Sequence, residues 1–255
     1  MKRHLVRRGG LLAAVVASIA LAGAVPASAA PGDGSAYGVD VDVKLLGQPA
    51  VKLGPIAASN TNGPTSNTAV NANVPGILTA GVIKTSAVRD DNSGAVTSKA
   101  SVADVGVPLL QAALGKVGVK AVEAVCTATQ EGVKGSSTLA DANLGSLGKI
   151  DANPAANTQL KVAIGPLHIA TLILNEQIKN KDGSLTVNAL HLKLLGGTGL
   201  GAIGSGDVIL SSATCGPAAP PMPLASGAGM WVGFGVLAAI AVPVGLRFTR
   251  RRSAA

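Results

Sequence analysis

Outside its first few residues this 255-residue chain has two histidines, His168 and His191, the side chains best suited to proton transfer or metal ligation. A zinc site needs further ligands at a helpful spacing, and neither histidine has them. A Ser-His-acid triad needs an exposed nucleophile, and the G-x-S-x-G elbow is absent. Asn175-Glu176-Gln177 is the better lead. It interrupts an apolar run, and Asn188-Ala189-Leu190-His191 interrupts the run that would pair with it. Polar groups facing each other across one hairpin make a hydrogen-bonded cluster that fixes register, a simpler reading than a ligand site.

Three further constellations carry less. Asp40 and Asp42 could offer oxygens to calcium, but they alternate with valines as a solvated strand face does. Asp90-Asp91-Asn92 lacks the spacing and distal Glu of an EF-hand loop. Gly199-Leu200-Gly201-Ala202-Ile203-Gly204 matches G-x-G-x-x-G, yet a dinucleotide site needs those glycines to open a helix, and the run that follows, Asp207-Val208-Ile209-Leu210, reads as a strand. The expectation is no enzyme, no cofactor and no metal.

The elements that would position these groups are mostly strands. Tyr37, Val39, Val41, Val43 and Leu45 alternate with Asp40, Asp42 and Lys44, the period of a half-buried strand. Val51–Leu53 continues it, and 59–73 is a polar loop or weak edge strand. Strands are expected over Gly76–Val88 and Ala95–Val105, joined by a turn at 90–94. Others are expected over Lys116–Thr129, Gln159–Ile164, His168–Ile178, Leu185–Leu195 and Asp207–Thr214. Asp182-Gly183 tips the 168–195 hairpin. Apolar parity switches near Ala189, which predicts a bulge or a strand buried on both faces. Pro108–Leu114 is one short helix, opened by Pro and closed by Gly115. The fold class is mostly β, an antiparallel β-sandwich or barrel-like ectodomain with one short helix and a C-terminal transmembrane helix; a solenoid is second.

Both ends read as targeting segments. Residues 1–29 have a basic start, an apolar run from Leu11 to Val25, and Ala27-Ser28-Ala29 at a cleavage position, the layout of a signal peptide. Arg7-Arg8 sits in a context that fits general secretion better than twin-arginine export. The net charge of +8 comes from four basic residues in this leader and four in the tail; the thirteen basic and thirteen acidic residues between them cancel. With one Arg, one Tyr and no Phe or Trp in 30–223, nucleic-acid binding is excluded, and a carbohydrate-binding module lacks its usual aromatic faces. The even cysteine count of an exported chain predicts that Cys126 and Cys215 are bonded.

The domain is expected over 30–215 and a Pro/Ala-rich spacer over 216–225. A transmembrane helix follows over 226–248, and a basic cytoplasmic tail over 249–255. Residues 226–246 carry no charge, enough to span a bilayer's hydrocarbon core. Trp231 suits the outer interface, and Arg247, Arg250, Arg251 and Arg252 hold the tail inside by the positive-inside rule. The expected location is the cell membrane, single-pass, with the domain outside. Any envelope or protein partner is unidentified. The same layout is similar to a cell-wall sorting signal. Leu224-Ala225-Ser226 fits its opening, but Gly227-Ala228 stands where Thr-Gly should be, and the sortase thioester forms at that Thr. A retained tether is therefore preferred to a wall protein.

Ser35-Ala36-Tyr37-Gly38-Val39, Cys126-Thr127-Ala128, Leu174-Asn175-Glu176-Gln177, Val187-Asn188-Ala189-Leu190-His191 and Gly206-Asp207-Val208, closing at Cys215, resemble the choice-of-anchor P family of exported actinobacterial proteins. The resemblance covers about residues 35–215. It implies a shared surface domain joined to varying C-terminal anchors, and it implies no activity.

Overall fold

The computed structural model describes residues 30–196 and 204–221. The expected leader with Ala27 and Ala29, and the expected span and tail with Trp231, Arg247, Arg250, Arg251 and Arg252, lie outside the described residues. The strands are β1 (Gly34–Leu45), β2 (Val51–Ile56), β3 (Ser59–Asn60), β4 (Ser66–Val74), β5 (Leu78–Arg89), β6 (Val96–Gly106), β7 (Val117–Thr129), β8 (Gly132–Ala140), β9 (Asn143–Leu144), β10 (Thr158–Ile164), β11 (Leu167–Lys179), β12 (Leu185–Leu195) and β13 (Gly204–Cys215). A 3-10 turn, Pro108–Leu110, runs into the single α-turn α1 (Gln111–Leu114), which ends at Gly115.

The strands form two antiparallel sheets packed face to face. Sheet A runs β10-β11-β12-β13-β1-β2, with β3 on β1; sheet B runs β4-β5-β6-β7-β8, with β9 on β7. The largest fully buried side chains are all aliphatic, among them Ile83, Leu139, Leu174, Leu190 and Leu210. With almost no aromatics available, the core is filled by many small contacts between branched chains. Leu110 and Leu114 close one end of it. The buried cluster lies wholly within residues 39–215, so the sandwich is one self-contained unit.

The pleat reverses once in each sheet. Seven non-glycine residues have positive φ: Ala57, Asn71, Asp104, Asp141, Asn157, Asn175 and Ser211. They fall on two lines that cross the sheets. In sheet A the line passes through Asn175, Ala189, Ser211 and Gly38, then beside Ala57. In sheet B it passes through Asn71, Gly81, Asp104, Lys120 and Asp141. The pairs on either side of each line keep one register, as Leu174–Leu190 and Glu176–Asn188 do. No residue is inserted, yet inward positions change parity: Val208 and Leu210 point in before the line, Ala213 and Cys215 after it. The sheet A line lies against the row of Ile83, Val102 and Val122, two residues along from the sheet B line. Ser211 donates to the Val122 carbonyl across the core at 2.7 Å, and Thr85 donates to the Ala57 carbonyl at 2.6 Å. Gly38 abuts Ile83 so closely that a Cβ would collide with its Cγ2. A residue in the left-handed region costs on the order of 1–3 kcal/mol, so aligning them along one line needs such compensation.

This corrects two expectations. The parity switch at Ala189 is a pleat reversal, not a bulge, and β12 is not uniformly buried on both faces, since Lys193 and Leu195 are exposed. Tyr37 does not share the face of Val39 and Val41, because the reversal at Gly38 turns it outward. Residues 66–74 take the edge-strand alternative, and β8 is a strand that alternation does not predict. The remaining expected strands and the helix stand where the patterning places them, with bounds shifted by a few residues.

Chain entry and exit meet at one end of the sandwich. Gly32 N–H donates to Pro217 O and Gly216 N–H to Asp33 O, both 2.8 Å. Ala219 N–H donates to Gly94 O at 2.9 Å, and Gln130 Nε2 donates to Ala219 O at 2.7 Å. The opening residues of the Pro/Ala-rich segment are thus strapped across the β5–β6 turn. Gly94 has φ +69, and a Cβ there would strike Ala219 O. At this same end Cys126 of β7 and Cys215 of β13 are disulfide-bonded, with Cα atoms 5.6 Å apart, both fully buried, as their even count predicts. The bond joins sheet B to sheet A.

Candidate functional site

The polar interruption of β11 splits by pleat. Asn175, in the left-handed conformation, and Gln177 turn toward neighbouring segments: Asn175 Nδ2 donates to Pro154 O at 2.9 Å and Gln177 Nε2 to Gly135 O of β8 at 2.9 Å. The Gln177 N–H donates to Asn157 Oδ1 at 2.8 Å. Glu176, between them, turns to the outer face of sheet A. There Asn188 Nδ2 donates to Glu176 Oε2 at 2.7 Å, and His191 Nδ1 lies 2.9 Å from the same oxygen. The other ring nitrogen, His191 Nε2, lies 2.8 Å from Asp207 Oδ1 on β13. The imidazole therefore bridges carboxylates on the two strands flanking its own. The side chains of His191 and Glu176 are 13% and 15% exposed, and that of Asp207 is 47% exposed.

This geometry sets a protonation state. A neutral imidazole has one donor and one lone pair, so one nitrogen would oppose a carboxylate lone pair at under 3 Å. Only the imidazolium can donate on both sides. Burial opposes the charged ring, but the hydrogen bonds to Glu176 and Asp207 and their charges outweigh it, and His191 titrates above its ordinary 6.5. Burial likewise opposes the Glu176 carboxylate, but hydrogen bonds from His191 and Asn188, with the charges of His191 and Lys193, hold it below its ordinary 4.5. Beside the clasp, burial and the neighbouring Asp42 raise Asp40. Burial raises the Tyr37 phenol, which shares the row Glu176–Asn188–Ser212–Tyr37.

Chemically the arrangement holds charge and ties strands. With both nitrogens committed, His191 has no free lone pair to act as a base, and among the described residues no hydroxyl or thiol nucleophile hydrogen-bonds to it. His168 lies elsewhere on β11, 3.3 Å from Thr171 Oγ1. Among the described residues no three His, Cys, Asp or Glu side chains are grouped to hold a metal ion. Asp42 pairs with Lys52 at 2.9 Å, and Asp90 caps its own turn by accepting from Asn92 N–H at 2.8 Å. Gly204 opens β13 rather than a helix. Two open clefts, one lined by Asp141, Asn143 and Lys149 and the other by Asp104, Lys116 and Lys120, lie on sheet B, away from the clasp.

The patterning pointed to the cluster of Glu176, Asn188 and His191. It missed Asp207, and only the adjacency of β12 and β13 supplies that partner. The sign of the pH dependence follows. His191, with a raised folded pKa, contributes stability fully present below its unfolded value and lost as pH rises through the folded one. Glu176, with a lowered folded pKa, contributes stability present above its unfolded value and lost as pH falls through the folded one. The clasp is therefore strongest between about pH 4.5 and 6.5. His191→Gln should cost about 2 kcal/mol in that window and less at alkaline pH, because it leaves Glu176 without its charged partner. Urea titrations of both proteins at pH 5.5 and pH 9 check this; an equal deficit at both would show that charge is not the cause. No family model matches the chain, and no curated protein and no solved structure matches it either, so what the clasp does is argued from its own residues.

Proposed function

We propose that the chain is a non-enzymatic cell-surface protein, an exported β-sandwich held outside the membrane by a C-terminal helix, with a structural or interaction role. The observation that carries this is the buried Cys126–Cys215 bond at the end where the chain leaves for its apolar segment. Such a bond suits an oxidising, extracytoplasmic compartment, and it reinforces the domain where a tether would attach. The leader at 1–29, the uncharged stretch 226–246 and the arginines after it support the same location. Among the described residues no helix is long and apolar enough to cross a membrane, and the proposed span lies beyond them. The resemblance to the choice-of-anchor P family supports a surface domain with an interchangeable anchor. The commitment of both His191 nitrogens supports a non-catalytic role.

Protease added to wall-stripped cells should remove the sandwich and leave a small membrane-bound stub carrying the arginine tail. Full protection would overturn the proposed topology. A mature C-terminus near Ser226–Ala228, linked to peptidoglycan, would replace the retained tether with sortase processing.

A further inference from the structure

We infer that the end of sheet A opposite the chain exit is a docking edge for an anionic lipid bilayer. The register places the β1–β2 and β10–β11 turns and the adjoining ends of β12 and β13 in a line along that end. Six strands at a spacing of ~4.8 Å make this edge about 25 Å wide. Four of the large exposed aliphatics stand on it: Leu46 at 61%, Leu167 at 43%, Leu195 at 40% and Ile164 at 38% exposed. The two fully described turns, 45–51 and 162–167, hold Leu, Ile, Val, Ala, Gly, Gln and Pro and no charge.

Behind this apolar rim the nearest charge is Lys44, and the next transverse row carries both signs, with Asp42 held by Lys52 and Asp207 by His191. Lys44 of β1, Lys52 of β2, Lys161 of β10 and Lys193 of β12 each lie within a few residues of a turn, and all are exposed. Lys161, Lys193 and Lys52 belong to one transverse row, Lys161–Thr171–Lys193–Asp207–Asp42–Lys52. Lys52 pairs with Asp42, whereas Lys44, Lys161 and Lys193 make no ion pair among the described residues. Exposed aliphatics rimmed by lysines match the two layers of a membrane surface. The aliphatics enter the boundary between headgroups and acyl chains, while lysine stems lie along the apolar rim and their ammonium groups reach lipid phosphates. A protein partner would require opposing hydrogen-bond acceptors and donors shaped to this rim; a bilayer requires only apolar depth and negative charge, which these residues complement.

The edge does not depend on the proposed tether, but the tether decides which way it faces, so the test separates the two. Full-length chain in neutral phosphatidylcholine nanodiscs is mixed with vesicles and floated on a density gradient. Failure to enter nanodiscs would count against the retained helix alone; detergent-free soluble chain would then be floated with the same vesicles. Vesicles containing phosphatidylglycerol should carry the protein up about tenfold more than pure phosphatidylcholine ones, and 0.5 M salt should remove most of that excess. Leu46→Ser, at the most exposed turn position, should reduce flotation several-fold, as should Leu167→Ser, whereas Val88→Ser, equally exposed at the other end, should not. Lys44→Gln combined with Lys161→Gln and Lys193→Gln should abolish the preference for anionic lipid. No flotation with anionic vesicles, or flotation indifferent to Leu46→Ser and to the lysine variants, would overturn the inference. So would lipid-independent self-association lost on the same substitutions, which would assign the edge to a second copy of the chain.

Discussion

Cys126→Ser lowers the melting temperature of the sandwich by about 10–15 °C. The bond closes a loop of 89 residues in sequence separation. Chain-entropy reasoning gives such a closure about 4–5 kcal/mol, and a domain of this size shifts by roughly 2–4 °C per kcal/mol. The loss is a large fraction of a typical total of about 5–15 kcal/mol. Its structural cause is specific. Without the bond, β13 keeps its ladders to β1 and β12 but loses its covalent link to β7 of the facing sheet beside the chain exit. The double serine variant should be no less stable than either single one, because either substitution already removes the whole bridge. Calorimetry of the three variants, with alkylation and mass spectrometry under non-reducing conditions, decides the matter. Two alkylatable thiols in the unaltered protein would end the argument.

Gly38→Val is the second large effect, a destabilisation of about 3 kcal/mol. Any Cβ at Gly38 collides with Ile83, which is fully buried on the opposite sheet. Neither sheet can withdraw easily, because Ser211–Val122 and Thr85–Ala57 hold the two sheets together on either side of Gly38. The control is a pair of smaller changes. Gly38→Ala should cost about 2 kcal/mol and Ile83→Ala, which removes the colliding Cγ2, about 3, while the double variant should cost clearly less than their sum, a coupling of about 1 kcal/mol. Strict additivity in denaturant titrations would mean that the two positions do not compete for space.

How much of this was legible in the sequence depends on where the governing contact lies. β1, β11 and β12 announce themselves because one face of each is buried and the alternation is local. β8 does not. Its inward positions include Gly135, Ser137 and Leu139, and a Cβ at Gly135 would collide with Val187 of the facing sheet. The space that forbids large residues there belongs to another strand, so apolar alternation is erased by a tertiary neighbour. β4 is an edge strand with few inward positions, and a polar sequence suffices for it. The clasp divides in the same way. Glu176, Asn188 and His191 face each other within one hairpin and could be paired from spacing alone. Asp207 lies 16 residues from His191 on a strand whose place beside β12 no periodicity specifies. The parity switch at Ala189 was visible as a defect in one strand. That it is one point on a line crossing several strands, and that the line turns Tyr37 outward, follows only from the register of the whole sheet.

The strap and the disulfide together determine what happens under tension. A pull on the chain leaving at Pro220 first meets the hydrogen bonds of Ala219 to Gly94 and Gln130. It then enters β13, which lies between β12 and β1 inside sheet A, so that drawing it out along its axis must shear two ladders at once rather than unzip one. Before either ladder yields, the covalent link at Cys215 passes part of the load to β7, in the interior of the other sheet. Force applied where the chain leaves is therefore shared between both halves of the sandwich at the point of entry. A domain built this way passes a pull on its C-terminal end into both sheets instead of unravelling from the strand that is pulled.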